Sequence, residues 1–383
     1  MNGECAMGDV PFRSLALISN QAFSICNFRG DFIREVVRRG VKVYAFAPDY
    51  DDASRHHVEM LGAIPVSYAL KRTGMNPFEE LRTVLELAFK LRALKVDAVF
   101  SYFIKPVLYG AISALLASVP LRYSMIEGAG FVYSDEGGTA WFRRLLRFGV
   151  THMIRLSLAC SKRVFLLNQD DYELFVTPKL ARSGKILMLP GIGVDLDYFA
   201  PGPAVLAPVT FIVVARLLKE KGIYDFVEAA RIVRARNKLA RFIVVGGIDE
   251  SPVAISYRDV KRWVDEGLIE WPGHVTDVKH WVAKSSVFVL PSYYREGLPR
   301  STQEAMSLGK PVITTDWVGC RETVLDGVNG FLVPVKDPGR LAAAMLKFVE
   351  FPALIDRMGE ASRFLAEQRY DVNVINNTVL SAL

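Results

Sequence analysis

The feature that most constrains this chain is a repeated alternation of short apolar runs with longer helical stretches such as Asn76–Leu94 and Thr139–Leu156. Strands that alternate with helices of this length are typical of βαβ units, which form a parallel sheet with helices on both faces. The sequence therefore predicts an α/β fold of doubly wound sheets. The strands predicted in the first half are Ser14–Ser19, Val41–Ala47, Pro65–Leu70, Asp97–Ser101, Arg122–Ile126, Arg163–Leu167 and Ile186–Leu189.

The alternation is interrupted once, where DYFAPGPAVLAP (residues 197–208) carries three prolines in twelve residues. Such a stretch is typical of a linker, and 383 residues are too many for one ordinary core. We predict one domain over residues 1–197, a linker over 198–208, a second doubly wound domain over 209–360, and a helical segment over 361–383 that packs back on the first domain. Ligands of two such domains are expected in a cleft at the carboxyl ends of the sheets. The elements predicted in the second half are the strands Thr210–Ala215, Arg241–Val245, Leu268–Trp271, Val287–Leu290 and Pro311–Thr314 and the helix Tyr224–Arg236.

Cysteine usage and hydropathy exclude several classes of protein. The four cysteines are far apart, which predicts reduced thiols and no disulfide framework. The N-terminus MNGECAMGDV lacks the basic region of a signal peptide. The apolar run Pro106–Leu121 is shorter than the ~20 residues that a span requires, so we interpret it as a buried helix and expect no crossing of a bilayer.

The net charge of +6 is concentrated in one segment. From Gly137 to Gln169 there are six basic residues, no acid, and interleaved aromatic and aliphatic side chains. A basic amphipathic helix of this kind binds anionic headgroups, and a core helix with a solvated basic face is an equal alternative. We predict contact with an anionic membrane surface through residues 141–163. No recognition motif for nucleic acid accompanies the charge, so nucleic acid is not an expected partner.

The densest chemical signal runs from Val287 to Gly330. A buried strand ends at Pro291, the loop Glu296-Gly297-Leu298-Pro299 follows, and a helix begins near Ser301. A helix N-terminus offers unpaired N–H groups and the positive end of a dipole, which suits a diphosphate. Two plainer interpretations stay open: Ser301 and Glu304 fit a capping box worth about 1 kcal/mol, and Glu296 could be a solvated loop carboxylate.

A second signal, VVARLLKEKG, leads from a strand into a loop that bears Arg216 and Lys221. Two cations at the carboxyl end of a strand suit a diphosphate and stabilise charge on a leaving nucleoside diphosphate, although a solvated basic turn is the alternative. Gly246 ends another strand where the backbone approaches a ligand or simply turns. His274 could contact a base or be structural, and Thr276 could cap the helix that follows it.

Several patterns predict no metal or redox cofactor. Asp195-Leu-Asp197 and Asp49-Tyr-Asp51 have the spacing of metal–diphosphate sites, yet each lies beside a turn or in an acidic loop. Gly128-Ala-Gly130 and Gly191-Ile-Gly193 lack the third glycine of a dinucleotide fingerprint. The five histidines have no zinc-site spacing.

Taken together, these motifs resemble the GT-B glycosyltransferases of family 4, over nearly the whole chain and most strongly over Phe211–Val335. The family's hallmarks are Arg216 with Lys221, the Glu296/Glu304 pair and the run from Glu304-Ala-Met to Gly309-Lys-Pro-Val. The chain is also similar to bacterial transferases that lengthen undecaprenyl-diphosphate-linked glycans, including N-acetylgalactosaminyltransferases acting on lipid-linked bacillosamine. The residues that carry this finer resemblance are Asn20, Ser24, Phe28-Arg29, Glu127-Gly-Ala-Gly130, Gly246-Gly-Ile-Asp249-Glu-Ser-Pro252, Pro291-Ser-Tyr and Gly319-Cys320-Arg-Glu322.

The resemblance implies two Rossmann-like domains, the first binding the acceptor and the second a nucleotide sugar. It implies a retaining, metal-independent hexosyltransferase that uses a UDP-hexose or UDP-N-acetylhexosamine, with no cofactor beyond that donor. The implied acceptor is a polyprenyl-diphosphate-linked saccharide in cell-surface glycan assembly, at the cytoplasmic face of the membrane. The implied donor contacts are Arg216 and Lys221 on the diphosphate, Glu304 on the ribose, Glu296 with the backbone of Gly297 and Leu298 on the sugar, and Gly246, His274, Val275 and Pro299 around them.

This chain departs from many relatives at two places. Many relatives have a histidine at the end of the fifth strand of the N-terminal domain, and this chain has Glu127 there. The transferases that act on lipid-linked glycans share that carboxylate. We therefore predict Glu127 as an active-site group that hydrogen-bonds the sugar or steadies positive charge at the anomeric carbon. The Gly-Gly often found after the first strand is absent, and Ser24 and Arg29 of that loop are predicted to bind the acceptor diphosphate.

Two other functions fit the same architecture. One is a UDP-sugar 2-epimerase, which would need acid and base residues at the ligand site. The other is a catalytically silent subunit that scaffolds a polysaccharide assembly complex. The combination of Arg216, Lys221, Glu296 and Glu304 favours an active transferase over both.

Overall fold

The computed structural model describes residues 10–71, 76–128, 140–176, 182–249, 251 and 253–383, with side chains in these ranges except at 140–147. The chain divides into two compact units. Unit 1 comprises Met1–Ile192 and Asn373–Leu383, and unit 2 comprises Gly193–Val372. Each unit contains one parallel sheet with helices between successive strands. The predicted α/β class with two doubly wound sheets is therefore confirmed.

Unit 1 is built on a seven-stranded sheet in the order β3-β2-β1-β4-β5-β6-β7. The order reverses between β1 and β4, and in such sheets ligands bind at the carboxyl ends of the strands near that point. The strands are β1 Ser14–Ile18, β2 Lys42–Ala47, β3 Ile64–Ser67, β4 Ala98–Tyr102, β5 Leu121–Ile126, β6 Arg163–Leu166 and β7 Ile186–Met188. The helices are α1 Ala22–Phe28, α2 Gly30–Arg38, α3 Asp52–Met60, α4 Pro77–Leu94, α5 Ile104–Leu116, α6 Ala140–Cys160 and α7 Gln169–Val176.

Local sequence explains where the long helix α4 begins and ends. The side chain of Asn76 accepts a hydrogen bond from the N–H of Phe78 (3.1 Å), and Pro77 occupies the first turn, where it needs no donor partner. Lys95 takes a left-handed conformation and ends the helix. The apolar run that begins at Pro106 lies mostly in α5, where its residues from Pro106 to Ala111 are buried. No helix in the described part of the chain is long and apolar enough to span a membrane.

Unit 2 has a six-stranded sheet in the order β10-β9-β8-β11-β12-β13. Its strands are β8 Thr210–Val214, β9 Arg241–Val245, β10 Glu270–Gly273, β11 Val287–Leu290, β12 Val312–Thr315 and β13 Gly330–Val333. Its helices are α8 Ile223–Arg236, α9 Tyr257–Asp265, α10 Val278–Ala283, α11 Arg300–Ser307, α12 Pro338–Glu350 and α13 Ala353–Arg369. A final helix, α14 Val372–Ala382, returns the chain to unit 1.

The segments that join the predicted domains have definite places in the structure. Residues 200–209 contain no helix or strand and belong to unit 2. Arg363 of α13 donates to the carbonyl of Leu196 (3.0 Å) just before them. The predicted boundary at residue 361 falls inside α13, which belongs to unit 2. The C-terminal residue lies in unit 1, where the hydroxyl of Tyr123 donates to the carbonyl of Leu383.

Candidate active site

The candidate site of unit 2 is the edge of the sheet where its parallel strands end. The loops that follow β8, β9 and β10 approach each other closely there: the N–H of Gly246 donates to the carbonyl of Gly273 (2.9 Å). A Cβ atom at Gly246 would lie 1.9 Å from the carbonyl oxygen of Ala215, so the approach requires a glycine. This geometry brings the backbone of Arg216 and His274, two predicted donor contacts, to one edge. His274 is exposed, and Val275 beside it is half-buried.

A buried ion pair forms the centre of this edge. Lys221 lies in a short 3-10 helix after β8, and its amine pairs with the Oε1 atom of Glu296 in the loop after β11. The hydroxyl of Ser292 donates to the same oxygen (3.0 Å) and fixes its direction. The two side chains of the pair are only 13% and 11% exposed. The structure thus joins the predicted diphosphate-binding lysine to the predicted sugar-binding carboxylate.

Tyr294 lies beside this pair. The amine of Lys221 is 5.1 Å from the centre of its ring, a cation–π distance. Burial and then the negative charge of Glu296 raise the pKa of the Tyr294 hydroxyl to about 12, and the charge of Arg216 acts in the opposite direction. Because both charges reach one hydroxyl, Arg216 and Glu296 share a local electrostatic environment. The phenol stays neutral at physiological pH.

Arg216 differs from Lys221 in its exposure. Its guanidinium pairs with Asp249 (3.2 Å), and half of the Arg216 side chain is exposed. An exposed guanidinium loses little by exchanging a weak surface partner for a phosphate, with which it makes shorter, charge-assisted hydrogen bonds. Arg216 is therefore well suited to bind an anion from solvent.

The helix after the Glu296 loop begins one residue earlier than predicted. Its N-cap is Pro299, no side chain caps it, and the first helical residue is Arg300. The predicted capping box of Ser301 with Glu304 is therefore wrong. Leu298, just before the helix, is buried.

Glu304 lies inside this helix and pairs with a residue of its first turn. Its Oε1 atom accepts a hydrogen bond from the Nε atom of Arg300 (3.0 Å), one turn earlier. Burial raises the pKa of Glu304, and Arg300 opposes that shift. Glu304 therefore belongs to a second buried pair, separate from the Lys221 pair in its hydrogen bonding.

Gly319 holds the Glu296 loop from the other side. It has φ +73°, and a Cβ atom there would lie 2.6 Å from the carbonyl oxygen of Glu296 and 2.7 Å from that of Gly297. Only a glycine fits both the conformation and the distance. The next residue, Cys320, is buried, and burial raises the pKa of its thiol to about 12. Cys320 therefore packs as a neutral thiol.

Unit 1 has a comparable pair at the carboxyl edge of its sheet. Arg29, between α1 and α2, pairs with Glu127, which directly follows β5. The side chains are 4% and 10% exposed. The guanidinium lies 4.6 Å from the centre of the Tyr102 ring and donates to the sulfur of Met125 (3.0 Å). Two predicted residues of this unit are thus held together, and Glu127 has a fixed orientation.

Ser24, the other predicted acceptor residue, lies beneath this pair. Its hydroxyl is fully buried and hydrogen-bonds with those of Ser19 (2.7 Å) and Tyr102 (3.0 Å). The side-chain oxygen of Asn20, in the same loop, is buried without a hydrogen-bond partner. Ser24 therefore supports the tyrosine on which Arg29 rests.

Comparison with known proteins agrees with this geometry. Residues 208–350 match the family described as "Glycosyl transferases group 1". Over 380 residues the chain is 27% identical to the N,N'-diacetylbacillosaminyl-diphospho-undecaprenol alpha-1,3-N-acetylgalactosaminyltransferase of Campylobacter jejuni, covering 94% of this chain and 96% of that protein. Residues 208–350 therefore resemble the group 1 glycosyltransferases, and the chain is similar to one such enzyme over nearly its whole length.

The chain is also similar to the UDP-Gal:alpha-D-GlcNAc-diphosphoundecaprenol alpha-1,3-galactosyltransferase of Escherichia coli, at 26% identity over 72% of both chains. Among solved structures, HepE of Anabaena in complex with UDP-glucose matches with a TM-score of 0.74 at 19% identity, over 97% of this chain and 100% of that one. Sucrose-phosphate synthase of Thermosynechococcus elongatus matches with a TM-score of 0.76 at 16% identity, over 96% and 97%. These similarities establish the predicted GT-B fold.

Several residues around the candidate sites were not predicted as functional from the sequence. Asp249 pairs with Arg216, Ser292 orients Glu296, and Tyr102 carries Arg29. Asp249 and Tyr102 are far from their partners in sequence, so no local pattern marks these contacts. Arg300 is different, because its spacing of four residues from Glu304 on a helix is a readable signal of an ion pair.

The remaining sequence motifs also have definite positions in the structure or lie outside the described residues. Both Asp-x-Asp segments have structural roles: Asp195 accepts from the N–H of Asp197 (3.0 Å), and Asp51 caps α3. The cap of α10 is Asp277, so the prediction of Thr276 as cap is wrong. Among described residues, no group of three or more metal-ligating side chains is present. The side chains at 141–147, part of the predicted membrane contact, and Gly130 lie outside what the structure describes.

Proposed function

We propose that this protein is a retaining glycosyltransferase that moves a hexose or N-acetylhexosamine from a UDP-sugar to a polyprenyl-diphosphate-linked saccharide. The observation that carries the proposal is the buried Lys221–Glu296 pair, with the half-exposed guanidinium of Arg216 at the same edge of the sheet. The names of two relatives support a lipid-linked acceptor, and one of them names UDP-galactose. HepE, which shares the fold, binds UDP-glucose.

The donor is held through its charged and polar parts. Arg216 and Lys221 bind the diphosphate, and the N–H groups of α11, whose N-terminus no side chain caps, favour negative charge nearby. Glu304 accepts from the ribose hydroxyls. Glu296, oriented by Ser292, accepts from the sugar hydroxyls together with the backbone of Gly297 and Leu298.

The chemical step places negative charge where these cations lie. The bond between the anomeric carbon and the donor phosphate oxygen breaks, and a bond from the acceptor hydroxyl oxygen forms on the same face. Negative charge grows on the leaving UDP, and pre-positioned cations stabilise it without reorganisation. The acceptor proton passes to the departing phosphate oxygen, and Glu127 steadies positive charge at the anomeric carbon.

The acceptor contacts are assigned to unit 1. Arg29 is the contact for the acceptor diphosphate, and its orientation depends on Glu127 and on the ring of Tyr102. Ser24 contributes by holding the Tyr102 hydroxyl. Since a lipid-linked acceptor resides in a membrane, we place the enzyme at the cytoplasmic face of an anionic membrane, in contact through residues 141–163. Of the described side chains there, Phe148, Arg155, Leu156, Lys162 and Arg163 are exposed.

The test is UDP release by the purified protein with a panel of UDP-sugars and a lipid-linked acceptor. We expect turnover with at least one donor, and its loss in Lys221→Ala and Glu296→Ala proteins that remain folded. Turnover that survives in both variants would show that the site is wrongly assigned. Conversion of the donor without acceptor would identify an epimerase, and no turnover with any donor would favour a scaffold subunit.

A further inference from the structure

Helix α4 is apolar on two sides. One side packs into the core of unit 1 through Val84, Leu87 and Leu91. The other side exposes four large apolar residues spaced three or four apart, and at about 100° per residue they fall within an arc of about 80°. The outermost pair, Phe78 and Phe89, are 84% and 74% exposed. The full stripe consists of Phe78, Leu81, Leu85 and Phe89.

This stripe is unusual in the molecule. Wherever side chains are described, no other helix exposes more than two large apolar residues. A surface helix normally turns a polar face to water, and contiguous exposed apolar residues mark a contact surface. The outer side of α4 therefore has the chemistry of a face that a partner covers.

Charge on and around α4 is arranged to favour an anionic partner. Each acidic side chain of the helix is neutralised by a lysine, at distances of 2.6 to 2.9 Å. By contrast, Arg82 and Arg92 are exposed next to the stripe and make no ion pair with any described residue. The neutralising pairs are Glu79 with Lys71, Glu80 with Lys105 and Glu86 with Lys90.

The stripe is continuous with a layer of the same character. Helices α4, α5 and α6 pack side by side over one core, so their outer sides form one surface. On α6, Phe148 and Leu156 are exposed near the exposed Arg155. The chain from Gly137 to Gln169 contains no acidic residue. Large apolar and basic side chains are therefore exposed on both α4 and α6.

We infer that the outer face of α4 is a membrane-docking surface, which places the apolar stripe among the lipids of an anionic bilayer and the guanidinium groups of Arg82 and Arg92 at the lipid phosphates. An apolar stripe flanked by unpaired cations matches the interface of such a bilayer, where apolar area and charge both add to binding. A protein partner would more often require acidic side chains that are free to pair. The inference extends the membrane contact proposed for residues 141–163 and rests on that proposal for the nature of the partner.

The position of α4 connects this surface to the candidate site of unit 1. The Glu80–Lys105 pair joins the first turn of α4 to the first turn of α5, and α5 begins directly after the carboxyl end of β4. Arg29 and Glu127 lie at that same edge of the sheet. Docking through α4 would hold this edge close to the headgroup level, where the diphosphate of a lipid-linked acceptor resides.

The experiment measures co-sedimentation of the full-length protein with two kinds of vesicle, in the absence of substrates. One kind contains phosphatidylglycerol and phosphatidylcholine and is anionic, and the other contains phosphatidylcholine alone. We expect the wild type to bind the anionic vesicles, and Phe78→Ser/Phe89→Ser to lower its partition coefficient at least about tenfold, since each buried CH₂ contributes ~0.8 kcal/mol. Arg82→Glu/Arg92→Glu should weaken binding to the anionic vesicles only. The matched control, Phe351→Ser/Phe364→Ser, removes two exposed phenylalanines of unit 2 and should bind as the wild type does.

Three results would overturn the inference. The first is that the wild type does not bind anionic vesicles. The second is that Phe78→Ser/Phe89→Ser binds them as strongly as the wild type does. The third is that the wild type is a dimer and this variant a monomer, with vesicle binding unchanged. The last result would assign the face to a second copy of this chain. Vesicle binding is measured without turnover, so a negative result there does not bear on the proposed activity. That activity is tested separately by UDP release with a short-chain, water-soluble acceptor.

Discussion

Each unit places a buried ion pair between a cation and a glutamate at the carboxyl edge of its sheet. In unit 1 the pair is Arg29 with Glu127, and in unit 2 it is Lys221 with Glu296. Each cation comes from the segment after the first strand of its sheet and lies near the face of a tyrosine ring, at 4.6 and 5.1 Å. Burial raises the pKa of each of these tyrosine hydroxyls to about 12. A neutral aromatic face thus supports the cation in both units.

The units differ in what accompanies the pair. Unit 2 adds the half-exposed guanidinium of Arg216, and its carboxylate lies on a loop that a serine and a close-packed glycine hold in place. In unit 1 the guanidinium of Arg29 is almost completely buried. The comparison indicates that unit 2 is equipped to capture an anion from solvent. In unit 1 the pairing that orients Arg29 also holds Glu127 in a fixed direction.

The largest expected effect comes from breaking either pair on one side. Removing one partner of a buried pair leaves an uncompensated charge, which typically costs about 3–5 kcal/mol. We expect Arg29→Met to lower the free energy of unfolding more than Lys221→Met does, because the unit 1 pair is more deeply buried. Urea denaturation measures both losses.

Double variants provide the control for this prediction. Arg29→Met/Glu127→Gln and Lys221→Met/Glu296→Gln should each recover most of the lost stability, since no isolated charge remains. Neither should recover turnover. Strict additivity of the single changes in either double variant would show that the two side chains do not interact, contrary to the comparison.

A smaller effect is expected from the glycine that supports the Glu296 loop. Gly319→Ala introduces a Cβ atom 2.6 Å from a loop carbonyl, whereas the matched change Gly327→Ala, at φ +76°, meets nothing within 4 Å. Both should lose about 1–2 kcal/mol of stability from the left-handed conformation. Only Gly319→Ala should also lower kcat, about 10- to 100-fold, because displacement of a positioning loop by about 1 Å is costly. Equal kcat in the two variants would contradict the positioning role of this loop.

The smallest expected effect concerns Glu304, whose pKa burial raises. A carboxyl with a raised pKa in the folded state contributes stability below its unfolded pKa, and this contribution is lost as the pH rises through the folded pKa. The Tm of the wild type should therefore fall relative to that of Glu304→Gln as the pH rises from 4 to 8. Its KM for the donor should rise about tenfold, since a charged hydrogen bond contributes about 1.5–3 kcal/mol. A Tm difference that does not change between pH 4 and pH 8 would contradict this prediction.

The central strands could be predicted from the sequence because they are continuous apolar runs with clear ends. Arg241–Val245 and Val287–Leu290 have the predicted limits. The strand β13, Gly330–Val333, was missed because it is short and begins with a glycine that weakens the signal. At the site, the resemblance pointed to Lys221 and Glu296, but their pairing depends on strands distant in sequence. At α11, the Ser301 pattern was misleading because Arg300 provides a stronger partner for Glu304.

The central claim is that Arg216 and Lys221 bind the diphosphate of a uridine nucleotide, and calorimetric titration of UDP into the protein tests it most directly. We predict that the wild type binds UDP, that Arg216→Ala and Lys221→Ala each raise the Kd about 10- to 100-fold, and that Lys219→Ala, which removes an exposed lysine of the same short helix, leaves it unchanged. An unchanged Kd in Lys221→Ala and Arg216→Ala would contradict the account.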